Sequence, residues 1–420
     1  MSDRASPLDR DRTHGMTTGL LNGIRVLELG HFIAAPFCAR VLADMGADVI
    51  KVEPPVTGDP VRGWGAQIDG HAPWWSVHGR NRRCITLNLR DPRARAIMLG
   101  LVASCDILVE NFRPGQLEKW HLAPDVLAQS RPGIVVVRIS GYGQTGPDAA
   151  KGGFGVIGEA KGGLRYLCAH APEVSDLPSV RMGVSVGDSV SGLYGALGAL
   201  AAVIEQRATG RKDARVIDVA LGETVLSLLE GCLPEYSVTG QIRAPMGSGV
   251  ATAAPTNAYR CRDRIWLLIA ANSDPLFKSL CGLMGVPHMA SDARFIDNRR
   301  RLDNVMALDA SIGQWTAQLD AGDALTRLDA ANIPASKIYT IADCASDAQY
   351  RARGMVTQVN DPRFGQLLHP GVVPMVQGLD RDAAIRWTGP DVGAHNAEVY
   401  AELLGFDAAQ LEDLKRSGLL

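Results

Sequence analysis

The amino-acid sequence predicts an α/β protein with a parallel sheet that is covered by helices on both faces. In the first half of the chain, short runs rich in Val, Ile and Leu are apolar nearly throughout, and they alternate with helical patterns. Both features are typical of parallel strands that are buried on two faces and joined by crossover helices. The length of 420 residues exceeds what one ordinary core supports, so two domains are expected.

The first half of the chain supplies the strands of this sheet. Strands are predicted at 24–29, 48–53, 84–89, 107–110 and 134–140, with a further strand at 215–220. Pro54 and Pro55 end the second strand, because proline cannot donate to a sheet ladder. Helices are predicted at 35–45, 91–104 and 188–206, and at 223 onward. Pro36 and Pro92 stand in the first turns of two of these helices, where the missing N–H has no intrahelical partner to lose.

The second half has a different pattern, typical of a separate α+β unit. Residues 257–261 and 264–270 flank Arg262-Asp263 as a predicted β-hairpin. Helical patterns follow at 274–285, 303–319 and 321–331, a return segment begins at 333–341, and the last helices are predicted at 394–404 and 407–417.

Composition and charge argue against several classes of function. The hydrophobic content of 46% and the charged content of 21% are those of a soluble globular protein. The formal net charge of -2 provides no general field for nucleic acid or an anionic membrane, so neither is an expected partner. No apolar run reaches the roughly 18 to 20 residues of a membrane span, and the Ala/Leu face of 193–204 is predicted to be core.

Cysteine and histidine usage indicates reduced thiols and no metal. The eight cysteines contain no C-x-x-C pair, which favours reduced, buried side chains over disulfides. The nine histidines are scattered without paired spacing, so no metal site is expected. Residues 1–18 are polar and lack an apolar core, so we expect a disordered tail there and a cytoplasmic protein.

The most informative single residue is Asp188. It stands between Gly187 and Ser189 at the start of a long run of small, helix-compatible residues. An Asp in this position can cap the helix by accepting hydrogen bonds from free N–H groups. It can also act as an exposed carboxylate nucleophile, because the small neighbours leave room for a bulky acyl group. Residue chemistry alone favours the cap.

A series of short sequence words runs through the chain from about residue 20. They are LNGIRVLEL at 21–29, LADMGADVIKVE at 42–53, GDPVR at 58–62, NRRCITLNLR at 81–90, VENFRPG at 109–115, SGYG at 140–143 followed by GP at 146–147, GDS at 187–189, VIDVA at 216–220 and a degenerate GPDVGAH at 389–395. Together and in this order, these words resemble the CaiB/BaiF family, the class III coenzyme A transferases. The likeness extends from about residue 20 to the end of the sequence.

The resemblance implies a chemistry for Asp188. In that family the Asp of the GDS segment is the nucleophile, which here is Asp188. It would form an anhydride with the acyl group of an acyl-CoA and then a thioester with CoA. The resemblance thus implies that coenzyme A and acyl-CoA are substrates, that no cofactor is held permanently, and that the small-molecule partner is a carboxylic acid.

The resemblance also implies a set of residues that contact CoA. They are His31, Ala34, Leu87, Asn88, Leu89, Arg90, Asn111, Phe112, Arg113, Lys119, Gly141 and Tyr142. Arg90 is the expected phosphate contact among them. Two positions depart from the family pattern, since Pro54 and Ile33 replace polar groups of some relatives, which weighs against phosphate contact there. The loop Gly247, Ser248 and Gly249 is expected to act as a lid over the reacting Asp.

The fold that the resemblance implies is a doubly wound, Rossmann-like large domain that binds CoA, with an inserted small α+β domain. The large domain is expected at 19–225 and 345–420, and the small domain at 245–340. Two such chains would interlock as an obligate homodimer.

Two other functions remain open from the sequence. An α-methylacyl-CoA racemase shares the implied fold, but it needs a base and acid pair, and no His lies between positions 121 and 170. A CoA-binding protein without turnover is the other alternative, which the intact Asp188 and its glycine surroundings disfavour. If the enzyme is a transferase, the cations Arg62, Arg80 and Arg82 near the predicted pocket loops would suit a dicarboxylate such as succinate.

Overall fold

The computed structural model describes residues 19–171 and 173–420, so the predicted tail at 1–18 lies outside the described residues. The described residues divide into two compact units. The first comprises 19–164, 182–229 and 347–420, and the second comprises 165–171, 173–181 and 230–346. The described residues between 165 and 181, which the sequence analysis assigns to the large domain, group with the second unit.

A six-stranded parallel sheet forms the centre of the first unit. Its strands are β1 (Arg25–Glu28), β2 (Asp48–Glu53), β3 (Arg82–Thr86), β4 (Ile107–Glu110), β5 (Val135–Ser140) and β6 (Arg215–Ala220). Their order across the sheet is β3-β2-β1-β4-β5-β6, and all five pairings are parallel. The predicted parallel α/β sheet is therefore confirmed. The predicted strand at 84–89 begins two residues earlier and ends at Thr86.

Helices occur throughout the described part of the chain. In sequence order they are α1 (Ala34–Asp44), α2 (Pro73–His78), α3 (Ala94–Ala103), α4 (Gln116–Lys119), α5 (Pro124–Ser130), α6 (Gly155–Lys161), α7 (Leu164–Leu167), α8 (Val186–Thr209), α9 (Leu221–Leu226), α10 (Cys232–Thr239), α11 (Asp274–Leu283), α12 (Asn298–Asp303), α13 (Val305–Thr316), α14 (Ala321–Ala330), α15 (Ile341–Ser346), α16 (Ala348–Ala352), α17 (Asn396–Leu404) and α18 (Ala408–Arg416). Short 3-10 turns occur at Pro60–Gly63 and Pro287–Ser291.

Helices cover both faces of the sheet. Successive strand residues point to opposite faces, so neighbouring residues of one strand pack against different helices. Leu27 packs into a core with α3, α5 and α17, whereas its neighbour Val26 packs into a second core with α1 and α8. The two cores explain why the strands are apolar nearly throughout.

Helix α8 approaches the sheet and α1 through glycines. A Cβ at Gly192 would lie 2.8 Å from the Ala34 carbonyl oxygen, so a larger residue would push the helices apart. Small residues such as Ala199 are buried, as expected of the Ala/Leu face of 193–204, but Leu193 and Leu197 are 49% and 64% exposed, so the prediction of core was wrong for these two leucines. By length and composition α8 is apolar enough to cross a membrane, which is weak evidence because core helices of soluble proteins pass the same test.

The second unit contains a three-stranded antiparallel sheet of β7 (Thr256–Arg260), β8 (Trp266–Ala270) and β9 (Ala335–Lys337), in that order. Its core is formed with α11, α13 and α14. The predicted hairpin is present, and β9 lies in the predicted return segment. The helix predicted at 303–319 is present as α13, whereas the short helix α12 that precedes it was not predicted. A further hairpin in the first unit, β10 (Val356–Asp361) with β11 (Gly365–Pro370), was not predicted.

Candidate active site

Two cavities open at the carboxyl edge of the parallel sheet. The strand order reverses between β1 and β4, so the loops that follow these strands leave in opposite directions and open a crevice. A cavity of about 650 Å³, the wide cavity, and one of about 260 Å³, the Asp188 cavity, both lie along this edge. His31, Phe112 and Arg113 line both of them, so the two cavities are adjacent.

The wide cavity is built from the loops after β1, β2, β3 and β4. Its lining is largely apolar, with Arg90, Arg113 and Glu53 as charged groups. Its walls are formed by Leu29, His31, Val52, Glu53, Pro54, Pro55, Thr57, Leu87, Asn88, Leu89, Arg90, Phe112, Arg113, Gln116, Trp120 and Gly418. Near the end of the chain, the Leu419 carbonyl accepts a hydrogen bond of 2.8 Å from the Asn88 N–H. The cavity is large enough for a drug-sized or nucleotide-sized ligand.

The Asp188 cavity combines a carboxylate, aromatic rings and glycine backbone. Its walls are formed by His31, Phe32, Ile33, Ala34, Trp64, Asn111, Phe112, Arg113, Pro114, Ile139, Ser140, Gly141, Lys151, Gly152, Gly153, Phe154, Asp188 and Leu221. The ring of Phe32 lies 5.3 Å from that of Trp64 and 6.3 Å from that of Phe154. These rings make part of the wall apolar.

The loop after β1 is held by side-chain hydrogen bonds from distant parts of the chain. The Asn111 side chain accepts from the His31 N–H at 2.9 Å and donates to the His31 carbonyl at 2.8 Å. Phe32 has a positive φ of 63°, which a bulky residue rarely adopts. The Asp59 carboxylate accepts from the Phe32 N–H at 3.1 Å, and the His78 ring is 2.8 Å from its carbonyl oxygen. These contacts maintain a strained backbone at the cavity wall.

Fully buried charges lie beneath this loop. The Lys51 ammonium contacts Glu28 at 2.7 Å and Asp59 at 2.8 Å, and Arg82 contacts the other oxygen of Glu28 at 2.6 Å. Burial opposes the charge on Lys51, but Asp59 and Glu28 raise its pKa above the ordinary value. Burial would likewise raise the pKa of Asp59, yet Lys51 holds it at about 2. Burial, assisted by the Lys51 charge, lowers the pKa of His31 at the cavity wall, which favours a neutral imidazole.

Helix packing positions Asp188. It lies in the first turn of α8, where a carboxylate is favoured by the helix dipole, while Ser185 occupies the N-cap position. A Cβ at Gly155 would lie 2.5 Å from the Asp188 carboxyl carbon, and one at Gly187 would lie 2.9 Å from the Gly155 carbonyl oxygen. Only glycine at these two positions lets α6 and the start of α8 approach so closely. Asp188 itself is half-buried.

Most of the site residues that the sequence analysis named lie on these walls, but Lys119 and Tyr142 line neither cavity. Lys119 is exposed at the end of α4, and the Tyr142 ring is covered by the Lys161 ammonium at 4.6 Å from its centroid. The Gly247 N–H donates to the Ala169 carbonyl at 2.9 Å within the second unit. The lid role of Gly247, Ser248 and Gly249 stays a prediction, as does the contact of Lys119 and Tyr142 with CoA.

Sequence reasoning missed several wall residues. Trp64, Phe154 and the glycines at 152 and 153 line the Asp188 cavity, and Trp120 lines the wide cavity. The word GGFG at 152–155 was the available signal, because repeated glycines permit close backbone approach. Among the described residues no group of three or more His, Cys, Asp or Glu side chains could hold a metal ion, and the expectation of a metal-free reaction stays a prediction.

The three cations that were expected to suit a dicarboxylate have structural roles instead. Arg62 contacts the Glu53 carboxylate at 2.6 Å, Arg80 contacts Asp44 at 2.7 Å, and Arg82 contacts Glu28. Arg80 and Arg82 are buried, and Arg62 is held further by the Pro390 carbonyl at 2.8 Å. The expectation that these three residues bind a substrate carboxylate was wrong, because each guanidinium is already paired with a carboxylate of the fold.

The geometry defines an α/β protein with a carboxylate in a small cavity beside a larger one, at the switch point of a doubly wound sheet. The model of CoA-transferase family III matches residues 21–396, which is most of the chain. The chain therefore belongs to CoA-transferase family III, the CaiB/BaiF family, and is a transferase.

Curated relatives and solved structures agree with this assignment. Succinyl-CoA–D-citramalate CoA-transferase of Chloroflexus aurantiacus is 41% identical over 94% of this chain and 96% of that protein. The beta subunit of succinyl-CoA–L-malate CoA-transferase from the same organism is 36% identical over 96% and 98%. The crystal structure of a CaiB/BaiF family protein from Brucella suis is similar with a TM-score of 0.78 and 31% identity, covering 92% of this chain and 99% of that one.

Proposed function

We propose that this protein moves CoA from succinyl-CoA, or a closely related acyl-CoA, to a dicarboxylic acid, with Asp188 as the covalent carrier. The observation that carries the proposal is the position of Asp188 on a small cavity that shares three wall residues with a cavity large enough for CoA. The names of relatives that are 41% and 36% identical describe succinyl-CoA as donor and a dicarboxylic acid as acceptor, which supports the substrate class.

In the first half-reaction, an Asp188 oxygen attacks the thioester carbonyl of the donor. The carbon–sulfur bond breaks, CoA leaves as a thiolate, and an acyl-aspartyl anhydride forms. The thiolate then attacks the Asp188 carbonyl carbon, and the donor acid leaves as a carboxylate that keeps the bridging oxygen. Asp188 is now an aspartyl-CoA thioester. No proton changes place in either step.

The second half-reaction reverses these steps with the acceptor. The acceptor carboxylate attacks the Asp188 thioester, the thiolate leaves, and a second anhydride forms. Attack of the thiolate on the acceptor carbonyl gives the new acyl-CoA and restores Asp188, which keeps one oxygen of the acceptor. Water would hydrolyse both kinds of intermediate, so the site must exclude it during turnover. The rings of Phe32, Trp64 and Phe154 make part of the cavity wall apolar.

CoA fits the wide cavity best by chemistry. Arg90 offers a cation for a phosphate group, and the apolar walls around Leu87 and Trp120 offer a surface for the adenine. We propose that the pantetheine arm passes His31 and Phe112, which line both cavities, so that the thioester reaches Asp188. On this proposal, CoA binds to the doubly wound large domain at 19–225 and 345–420, and the small domain is the segment at 245–340.

Substitution of the proposed nucleophile tests this function. Asp188→Asn is expected to abolish CoA exchange between succinyl-CoA and glutarate, while binding of CoA persists, because the carboxylate alone is changed. Ser189→Ala, a matched change at the next position that lines neither cavity, should keep exchange. In the wild type, hydroxylamine added during turnover should convert Asp188 to its hydroxamate. Full exchange by Asp188→Asn would refute the proposal.

The same experiment separates the racemase alternative. A racemase would exchange the α-proton of a methyl-branched acyl-CoA with deuterated water and leave Asp188 unmodified by hydroxylamine. Proton exchange without CoA exchange would replace the transferase proposal.

We further propose that two chains associate as an interlocked homodimer, in the cytoplasm. The exposed apolar face of α8, with Leu193, Leu197 and Ile204 at 49%, 64% and 69% exposure, supports a partner surface, since such a stripe is unfavourable in water. We propose a second copy of this chain as the partner that covers this face, because most soluble oligomers are closed symmetric assemblies of identical chains. Light scattering should give a dimer mass, and Leu197→Glu should lower it; a monomeric wild type would contradict the proposal.

A further inference from the structure

The Asp188 cavity contains one cation that the fold does not use. His31, Lys151 and Arg113 are the basic residues on its wall. His31 has a lowered pKa, and the Lys151 ammonium is paired with Asp148 at 2.7 Å. The Arg113 side chain, in contrast, is exposed and has no hydrogen bond or ion pair with any residue in the described parts of the chain.

The backbone on both sides of Arg113 is held in place. The Phe112 N–H donates to the Glu110 carboxylate at 2.6 Å, and the Gln116 N–H donates to the Arg113 carbonyl at 3.0 Å. Glu110 is in turn held by Arg138 at 2.8 Å. The guanidinium, which no carboxylate of the described residues holds, is therefore available to pair with a carboxylate or phosphate of a ligand.

The guanidinium lies beside Gly152, a wall residue of the Asp188 cavity. A Cβ at Gly152 would lie 3.2 Å from Nη2 and 3.8 Å from Cζ of Arg113, so the glycine leaves the space beside the guanidinium open. Gly155, three residues further on, is the glycine against which the Asp188 carboxylate rests. Three residues span at most about 10 Å, which limits the distance between these two places on the wall.

We propose that Arg113 binds the free carboxylate of the dicarboxylate whose other end reacts with Asp188. This inference rests on the proposed function and specifies its selectivity. A four-carbon diacid needs roughly 3 Å from the Asp188 oxygen to the reacting carbon, roughly 4 Å along its chain and roughly 3 Å to the guanidinium. The sum, roughly 10 Å, is comparable with the upper limit on the distance between the two glycines. A monocarboxylic acid would leave the guanidinium without its anion.

The test compares two acceptors that differ only at the far end. With succinyl-CoA as the common donor, kcat/KM is measured for glutarate and for pentanoate. Arg113→Gln should lower the ratio of the two values, glutarate over pentanoate, by about 10- to 100-fold, which is the effect of one charge-assisted hydrogen bond. Because the donor is common to both assays, the ratio isolates recognition of the acceptor. Arg113→Lys should recover part of the ratio.

Arg93→Gln is the matched control, since Arg93 is exposed, pairs with Asp91 and lines neither cavity; the ratio should not change. An unchanged ratio in Arg113→Gln would overturn the inference. An equal fall for both acids, with weaker binding of CoA, would overturn it as well and assign Arg113 to the nucleotide. A failure of the proposed function gives a different result: the wild type transfers CoA to neither acid, and hydroxylamine leaves Asp188 unmodified. In that case this inference fails together with the proposed function.

Discussion

Replacing Gly155 with alanine should displace the nucleophile without unfolding the protein. The new Cβ would lie 2.5 Å from the Asp188 carboxyl carbon, whereas ordinary contact begins at 3.4 Å, so the carboxylate must move by about 1 Å. The group that moves is the end of a side chain, and the backbone can stay in place. Alanine also favours the helical conformation over glycine by roughly 0.5–1 kcal/mol, so α6 should be retained.

A misplacement of about 1 Å at a reacting group is expected to lower the rate of its reaction about 100-fold. The assay is kcat for CoA exchange together with the rate at which hydroxylamine traps Asp188 during turnover. Both should fall by the same factor in Gly155→Ala, because both depend on acylation of Asp188. The dissociation constant of CoA and the melting temperature should remain close to those of the wild type.

Gly222→Ala is the matched control, since a Cβ there would meet no atom closer than the Lys161 Cβ at 4.0 Å. It should keep the wild-type rate. A wild-type rate in Gly155→Ala would refute the reasoning, because it would mean that the position of this carboxylate does not limit the reaction.

Two further predictions concern stability. The buried His369 ring lies 3.0 Å from Ser76 Oγ, and burial lowers its pKa from 6.5 to about 4. As the pH drops, the unfolded chain therefore binds a proton at His369 before the folded chain does. The free energy of unfolding should thus fall between pH 6.5 and pH 4. In His369→Gln the midpoint of denaturant unfolding should depend less on pH over this range. An unchanged dependence on pH would contradict the role given to His369. Glu28→Ala leaves the buried Lys51 and Arg82 cations without the carboxylate that they share. The free energy of unfolding, measured in urea, should therefore fall by about 3–5 kcal/mol. A change below about 1 kcal/mol would show that the fold does not need this pairing.

The parallel sheet could be predicted because its strands are buried on both faces and read as apolar runs. The start of β3 could not be predicted, since Arg82 and Arg83 are charged and still lie in a buried strand. Their charges are balanced by Glu28 and Asp48, carboxylates of β1 and β2 that only the folded sheet brings near. A sequence pattern contains no information about such partners, and the same limit explains the wrong expectation for Arg62 and Arg80.

The candidate site was predictable in part. Asp188 was identified by its glycine and serine neighbours together with the family resemblance, and it lies on a cavity wall. The contact between Gly155 and the Asp188 carboxylate depends on how α6 packs against α8, which no local pattern shows. Tyr142 follows a strand of the sheet as expected, and its ring lies against the Lys161 ammonium, a contact that the local sequence does not show.

Isotope transfer to Asp188 tests the central claim most directly. During turnover with succinyl-CoA and glutarate labelled with heavy oxygen in its carboxylates, each cycle should leave one acceptor oxygen on the regenerated Asp188 side chain. Mass spectrometry of the peptide that contains this residue should then show one heavy oxygen at Asp188 after a single turnover and up to two after many turnovers, because each cycle exchanges one of the two carboxylate oxygens. An unlabelled Asp188 after many turnovers, or label on another residue, would contradict the account.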